Sequence, residues 1–252
     1  MRRNPIRERW SRGEAASNLW IDIGWPVTVE ALGRLQYDSY TVDLQHSLID
    51  RSVLVSLFQA LSLGNGAPMV RVTQNDPGEI AFVLDAGAYG VICPTVETEE
   101  QCRAFVAACE YPPRGVRSWG PTRGVMYGGA DYFENYRNEI LTVALIETAE
   151  GIRNLDAIAA VPGLDMVYLG PNDLGVSHGA KPSYTPNHPE VERAMDIVVA
   201  AARKHSIAAG MHTASKEVAL AAKAKGYKLL SLGYASKIMT GAATQVLKDA
   251  FG

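Results

Sequence analysis

Eight times along the chain, a short apolar run rich in β-branched and aromatic residues is matched with a stretch of helical periodicity. The runs lie at 18–24, 39–45, 68–72, 89–93, 142–147, 165–169, 207–211 and 229–233. Helical patterns fall at 27–35, 50–63, 77–86, 97–109, 151–160, 188–205, 215–225 and 236–249. Runs such as Met69-Val70-Arg71-Val72 and Met166-Val167-Tyr168-Leu169 lack the polar alternate face of a half-solvated sheet, which points to parallel strands covered on both sides. Spread over 252 residues, the units average about 31, close to a βα unit, and their sum is the size of a (β/α)8 barrel. The expected fold is therefore α/β, a single TIM-barrel domain over residues 1–252. A doubly wound open sheet is the alternative, but no GxGxxG follows the first run to hold a dinucleotide. One unit is oversized: between Val96 and Leu141 a helical pattern is followed by a Gly-, Pro-, Arg- and aromatic-rich stretch that reads as a long loop, either functional or a packing interface.

The charge balance limits the partners. A net charge of -3 and a pI near 6.0 leave no basic surplus for the phosphates of nucleic acid or for an anionic membrane surface. No apolar run approaches the roughly 20 residues of a membrane span, and the charged N-terminus lacks the apolar core of a signal peptide. Cys93, Cys102 and Cys109 form no CxxC pair, as expected in a reducing compartment, so a cytoplasmic location is expected.

In a barrel of this kind, chemistry collects at the C-terminal ends of the strands. There the sequence places Asp43, Gln45 and His46 after the second run, Arg71 in the third, Glu147 after the fifth, and Gly170-Pro171-Asn172-Asp173 after the sixth. Glu147 and Asp173 are candidate ligands for Mg²⁺ or Mn²⁺, since both offer hard oxygens from neighbouring strands. Spacing alone leaves open that they merely cap the helices that follow. His46, three residues beyond Asp43, is a candidate proton carrier oriented by that carboxylate, or simply a structural histidine. Arg71 suits an oxyanion or a developing enolate, the alternative being an internal salt bridge to Asp43 or Asp85. The Gly170–Asp173 turn offers backbone N–H groups to a carboxylate or phosphate, or is plain turn chemistry. His212, just past the seventh run, is a candidate pocket residue. Cys93 reads as a small buried hydrophobe.

Lysine usage removes one chemistry. All eight lysines lie at or after Lys181, so the first six strands offer no amine for a Schiff base, and the later lysines fall in predicted helices, loops or, for Lys228, before a strand. Carbonyl chemistry in this chain would use a metal instead.

Taken together, several segments resemble the HpcH/HpaI family of class II, metal-dependent pyruvate aldolases, which act on 4-hydroxy-2-oxoheptanedioate and 2-keto-3-deoxy-sugar acids. They are Val42-Asp43-Leu44-Gln45-His46, Val70-Arg71-Val72 with Asn75-Asp76-Pro77, the stretch 84–98, YPPRGVRSWG at 111–120, LIETAEGIRNLD at 145–156 and LDMVYLGPNDLG at 164–175. The resemblance covers nearly the whole chain. It implies a divalent metal on Glu147 and Asp173, with Co²⁺ or Zn²⁺ as alternatives to Mg²⁺ or Mn²⁺. It further implies proton handling by His46 with Asp43, Arg71 on the keto oxygen, Asp85 as a supporting acid and Trp20 as the first-strand tryptophan of the substrate site. The implied reaction is aldol addition and retro-aldol cleavage between a 2-oxo acid, pyruvate or hydroxypyruvate, and an aldehyde. The implied assembly is a homo-oligomer, a hexamer built as a trimer of dimers that exchange the last helix, so that 236–249 docks on a neighbour and Asp43 serves a neighbour's site. Gln45 replaces the family's common Glu, Leu145 a common Gln, and His212 an aliphatic residue near the aldehyde pocket. The rival readings are oxaloacetate decarboxylation, CoA-ester lysis by the same metal-enolate chemistry, and a non-catalytic barrel that binds a 2-oxo acid.

Overall fold

The structure is a computed structural model and describes residues 1–183 and 188–252. Its strands are β1 (Ala16–Ile21), β2 (Ser39–Asp43), β3 (Ala67–Arg71), β4 (Gly90–Cys93), β5 (Leu141–Ile146), β6 (Met166–Leu169), β7 (Ala208–Thr213) and β8 (Leu229–Tyr234). Each pairs in parallel with the next, and β8 returns to β1, closing the barrel in chain order. This is the TIM barrel expected from the strand spacing, and closure rules out the open doubly wound sheet. The helices are α1 (Pro5–Ser11), α2 (Pro26–Gly33), α3 (Arg51–Leu61), α4 (Pro77–Asp85), α5 (Glu99–Cys109), α6 (Thr122–Gly128) and α7 (Tyr132–Glu139). After β5 come α8 (Ala149–Arg153), α9 (Leu155–Ala159), α10 (Pro171–Ser177), α11 (Pro189–Lys204), α12 (Lys216–Lys225) and α13 (Ala235–Phe251).

The missing alternation in the strands has a direct cause. Met69, Ile92, Leu145, Met166 and Tyr168 fill the barrel interior, while Val70, Val91, Ala144, Val167 and Leu169 pack outward against the helices. Both faces of β2 to β7 are thus dry, and these strands read as continuously apolar, whereas β8 is exposed at Leu232. Helix starts carry their own signals. Asp76 accepts from the Glu79 N–H at 2.7 Å, and Thr98 forms a capping box with Gln101.

Two features depart from the sequence reading. Helix α1 falls in a charged stretch that shows no helical apolar pattern; it forms because Asn4 caps it and Ile6, fully buried, plugs the N-terminal end of the barrel interior. The oversized segment is not one long loop but carries α6 and α7, whose aromatic residues Tyr132 and Tyr136 are buried. It is held by Arg117, whose wholly buried guanidinium donates to Asp85 at 2.8 Å and to the Tyr132 hydroxyl at 3.1 Å and lies over the Tyr111 ring. Among the described residues, no helix is long and apolar enough to cross a membrane, and the three cysteines are free and buried.

Candidate active site

Side chains alternate along a strand, so the inward-facing residues at the C-terminal ends converge on the barrel mouth. Asn18 and Trp20 on β1, Thr41 and Asp43 on β2, Met69 and Arg71 on β3, and Leu145 followed by Glu147 after β5 each keep that period. On β7 the same register carries Ala208, Gly210 and His212. The cleft so formed is lined by Trp20, Arg71, Glu147, Asn172, Asp173 and His212, with Leu145, Tyr168, Gly170, Pro171 and Tyr234 completing it.

Asp43 and Arg71 stand opposite each other in the β2–β3 register and form a buried, two-pronged ion pair, Nε to Oδ1 at 2.9 Å and Nη2 to Oδ2 at 2.5 Å. Of the salt-bridge alternatives for Arg71, the partner is Asp43; Asp85 pairs with Arg117 instead. Burial acts to raise the Asp43 pKa, but the bonds and charge of Arg71 outweigh it and hold the carboxyl below its usual range. Burial likewise opposes the Arg71 charge, and Asp43 more than restores it. The pair uses Nε and Nη2, so Nη1 is left uncommitted among the described residues. Asp43 Oδ1 also accepts the backbone N–H groups of Gln45 at 3.0 Å and His46 at 3.3 Å. The carboxylate therefore orients the backbone that carries His46 rather than its imidazole, which lies exposed on the rim.

Glu147 is 5% exposed, and its Oε1 accepts from both the backbone N–H of Thr95 at 2.9 Å and the Thr95 hydroxyl at 3.1 Å. Thr95 adopts a left-handed backbone, φ 51°, costly for a β-branched residue, to deliver both donors to one oxygen. Glu147 does not cap the helix that follows; Thr148 does, accepting from Gly151 at 3.0 Å. A Cβ at Gly170 would stand 2.8 Å from both the Cβ and Oε2 of Glu147, so only glycine lets β6 pass this close to the carboxylate. Burial, followed by the neighbouring Asp173, pushes the Glu147 carboxyl up to about 7 against the pull of Arg71 and Thr95. Asn172 Oδ1 is buried with no partner. A buried carboxylate, Glu147, with the exposed carboxylate of Asp173 near enough to raise its pKa and an unpaired amide oxygen on Asn172, is a donor set suited to a hard divalent cation.

His212 is 9% exposed, with its ring edge-on to Trp20 at 5.3 Å and tilted against Tyr234 at 4.5 Å. The Arg71 guanidinium lies over the other aromatic wall, 5.1 Å from the Trp20 ring centroid. Burial and then Arg71 push the imidazole down to about 4, so it is neutral near pH 7. No lysine lines the cleft.

The matching family model, HpcH/HpaI aldolase/citrate lyase, covers residues 16–242. The chain belongs to the HpcH/HpaI aldolase/citrate lyase family. This aldolase is 35% identical over 247 residues to a hydroxypyruvate/pyruvate aldolase from Rhizorhabdus wittichii, covering 98% of each chain. It is 35% identical over 250 residues to a 5-keto-4-deoxy-D-glucarate aldolase from Klebsiella pneumoniae, covering 98% of this chain and 96% of that one. A solved HpcH/HpaI aldolase/citrate lyase family protein from Burkholderia cenocepacia superposes with a TM-score of 0.91 at 28% identity, over 99% of this chain and 100% of that one. The protein is a carbon–carbon lyase.

Of the residues picked from its sequence, the aldolase brings Trp20, Asp43, Arg71, Glu147, Gly170, Pro171, Asn172, Asp173 and His212 to one mouth. His46 stands at the rim. Asp85 ends α4 and so lies at the opposite end of the same barrel, where it meets Arg117. Sequence reading missed Thr95, Tyr168 and Tyr234. Thr95 and Tyr234 sit at the C-terminal ends of β4 and β8, the position that flagged the others, but a neutral hydroxyl leaving an apolar run draws less notice than a charge. Tyr168 lies inside β6, its hydroxyl donating to Ser231 at 2.6 Å, and reads in sequence as core.

Proposed function

We propose that this lyase catalyses divalent-metal-dependent aldol addition and retro-aldol cleavage of 4-hydroxy-2-oxo acids, with pyruvate or hydroxypyruvate as the enolate partner. The observation that carries this reading is the pairing of Glu147, buried and pushed up by Asp173, with an uncommitted Arg71 Nη1 across the same cleft. The relatives named as hydroxypyruvate/pyruvate and 5-keto-4-deoxy-D-glucarate aldolases support the substrate class.

Glu147 and Asp173 would hold the metal, Mg²⁺ or Mn²⁺ by the hardness of their oxygens. Bound there, a divalent cation supplies Lewis-acid polarisation of the 2-oxo group, which acidifies the protons on C3. Arg71 Nη1 donates to the oxygen that gains charge as the enolate forms, held in place by Asp43 through the other two nitrogens. The first-turn N–H groups of Asn172 and Asp173 have no intrahelical acceptor and receive the substrate carboxylate. His46, on the rim beside Asp43, would take the C3 proton, directly or through a water or hydroxide held with Asp43, and pass it to solvent. Trp20 and Tyr168 wall the cleft against bulk water.

The test is cleavage of a 4-hydroxy-2-oxo acid by protein stripped with EDTA and then resupplied with Mg²⁺, Mn²⁺, Co²⁺ or Zn²⁺. Turnover should fall at least about 100-fold on stripping and return with metal; full activity of the stripped enzyme would refute the proposal. Because Glu147 must lose its proton to bind a cation, apparent metal affinity should drop about tenfold per pH unit below about 7, measured by Mn²⁺ titration.

We further propose that the enzyme works as a homo-oligomer, a hexamer built as a trimer of dimers, in which α13 of each copy docks on another. Only Ala235 of this helix is buried, and Ile238, Met239, Val246, Leu247 and Phe251 all face solvent. The seam where a last helix would cover β8 and β1 is a cavity of about 510 Å³ walled by Ala16, Leu230 and Leu232 and by Ala219 and Leu220 of α12. Each large apolar side chain covered there contributes about 1.5–3 kcal/mol. Val246→Glu with Leu247→Glu should therefore lower the mass seen by light scattering to that of a smaller species while the barrel's circular dichroism is kept. An unchanged mass would leave α13 without this role.

A further inference from the structure

Among the described residues that line the mouth, His212 is the buried titratable side chain that the reaction above does not use. It projects inward from the end of β7, is nine-tenths buried, and lines the cleft with Arg71, Glu147 and Asn172. Its ring is fixed on two sides, edge-on to Trp20 and tilted against Tyr234, so its nitrogens have a set direction. Among the described residues, no protein group hydrogen-bonds either nitrogen. An aliphatic side chain would fill the same space with no polar atom to match, whereas the imidazole presents its nitrogens to whatever occupies the cleft.

The chemistry of that partner follows from the surroundings. Arg71 stands close enough to disfavour an imidazolium, and Asp43, which would favour one, is already spent on Arg71. The ring is neutral, with one nitrogen donating and the other accepting. A carboxylate or phosphate is better served by Arg71 and the first turn of α10. A group that both donates and accepts matches a neutral imidazole best, and a hydroxyl is the group of that kind that sugar-derived 2-oxo acids and aldehydes carry.

We propose that His212 is a specificity-determining residue that hydrogen-bonds a hydroxyl on the substrate's carbon chain, so that the enzyme selects hydroxylated substrates over their deoxy counterparts. This rests on the 2-oxo acid reading of the cleft and extends it. The hydroxyl has two possible sources, C3 of the donor, as in hydroxypyruvate, or the chain contributed by the aldehyde. A site built to pair a hydroxyl discriminates strongly against the analogue lacking it, because the buried nitrogen is then left unpaired.

The test compares wild type, His212→Leu and His212→Asn, each supplied with Mn²⁺. Calorimetric binding of pyruvate against hydroxypyruvate reads the donor arm. Binding of 2-oxopentanoate against 5-hydroxy-2-oxopentanoate reads the aldehyde arm with ligands that lack the 4-hydroxyl and so cannot be cleaved. In one arm, wild type should bind the hydroxylated ligand about 10- to 100-fold more tightly than its partner. His212→Leu should abolish that preference while changing deoxy-ligand affinity less than about threefold, and His212→Asn should restore part of it. Equal weakening of every ligand by His212→Leu, or no preference in wild type in either arm, would overturn the proposal. Neither arm needs turnover, so failure of the aldolase reading appears separately, as absent cleavage in the metal-resupply assay.

Discussion

Glu147→Gln is expected to lower metal affinity by at least about 100-fold and remove metal-dependent cleavage, while making the metal-free protein more stable at pH 8. Changes one step removed from a metal already cost about 10–100-fold in affinity, so loss of a ligand charge costs no less. The stability gain follows from the proton balance. With a folded pKa of about 7 against an ordinary value of 4.5, Glu147 holds a proton in the native state over a range where the unfolded chain has released it. Stability of the metal-free protein therefore falls as pH rises from about 4.5 to about 7. The charged native carboxylate costs on the order of 3 kcal/mol above that window. Glutamine keeps an oxygen for the two Thr95 donors and relieves both the desolvated charge and its repulsion by Asp173. Urea titrations of metal-stripped wild type and variant at pH 5 and pH 8 check this: the gap should be wide at pH 8 and narrow at pH 5. A variant less stable than wild type at both values would mean that Glu147 is not a strained carboxylate waiting for a cation.

The barrel was readable from sequence because strands dry on both faces leave an apolar signature, and the mouth was readable because strand period fixes which residues reach it. Asp43 and Arg71, 28 positions apart, become neighbours only through the β2–β3 register, which spacing along the chain does not reveal. Helix α1 was hidden for a different reason. Its stability comes from Asn4 and from Ile6 entering the barrel floor, a tertiary contact that overrides a weak local pattern. The position of Asp85 was legible in principle, since α4 starts where β3 ends and must finish at the far end of the barrel. Its pairing with Arg117 was not, because that required the oversized segment to fold into helices over buried tyrosines. Thr95 shows the remaining gap: the residue that fixes Glu147 acts through a left-handed backbone, and no side-chain pattern announces one.

The Asp43–Arg71 pair should separate stability from catalysis. Asp43→Ala leaves a guanidinium buried beside Trp20 without a counter-ion, and removing one member of a buried pair costs about 3–5 kcal/mol. Asp43→Ala combined with Arg71→Leu removes the stranded charge as well, and should recover much of that loss, since replacing a buried pair by apolar groups is often close to neutral. The recovery should be incomplete, because Asp43 also anchors the N–H groups of Gln45 and His46. Activity should not recover. With Arg71 absent, nothing donates to the developing enolate oxygen, and loss of one such donor costs about 10²–10³ in kcat. Arg71→Lys divides the question further. A lysine keeps the charge opposite Asp43 and thus most of the stability, but one ammonium cannot grip both carboxylate oxygens and still aim a nitrogen into the cleft. Its kcat should fall about 100-fold with a thermal midpoint near that of wild type. If kcat stayed at the wild-type value, charge alone would suffice at this position, and the two-pronged grip on Asp43 would serve the fold rather than the reaction.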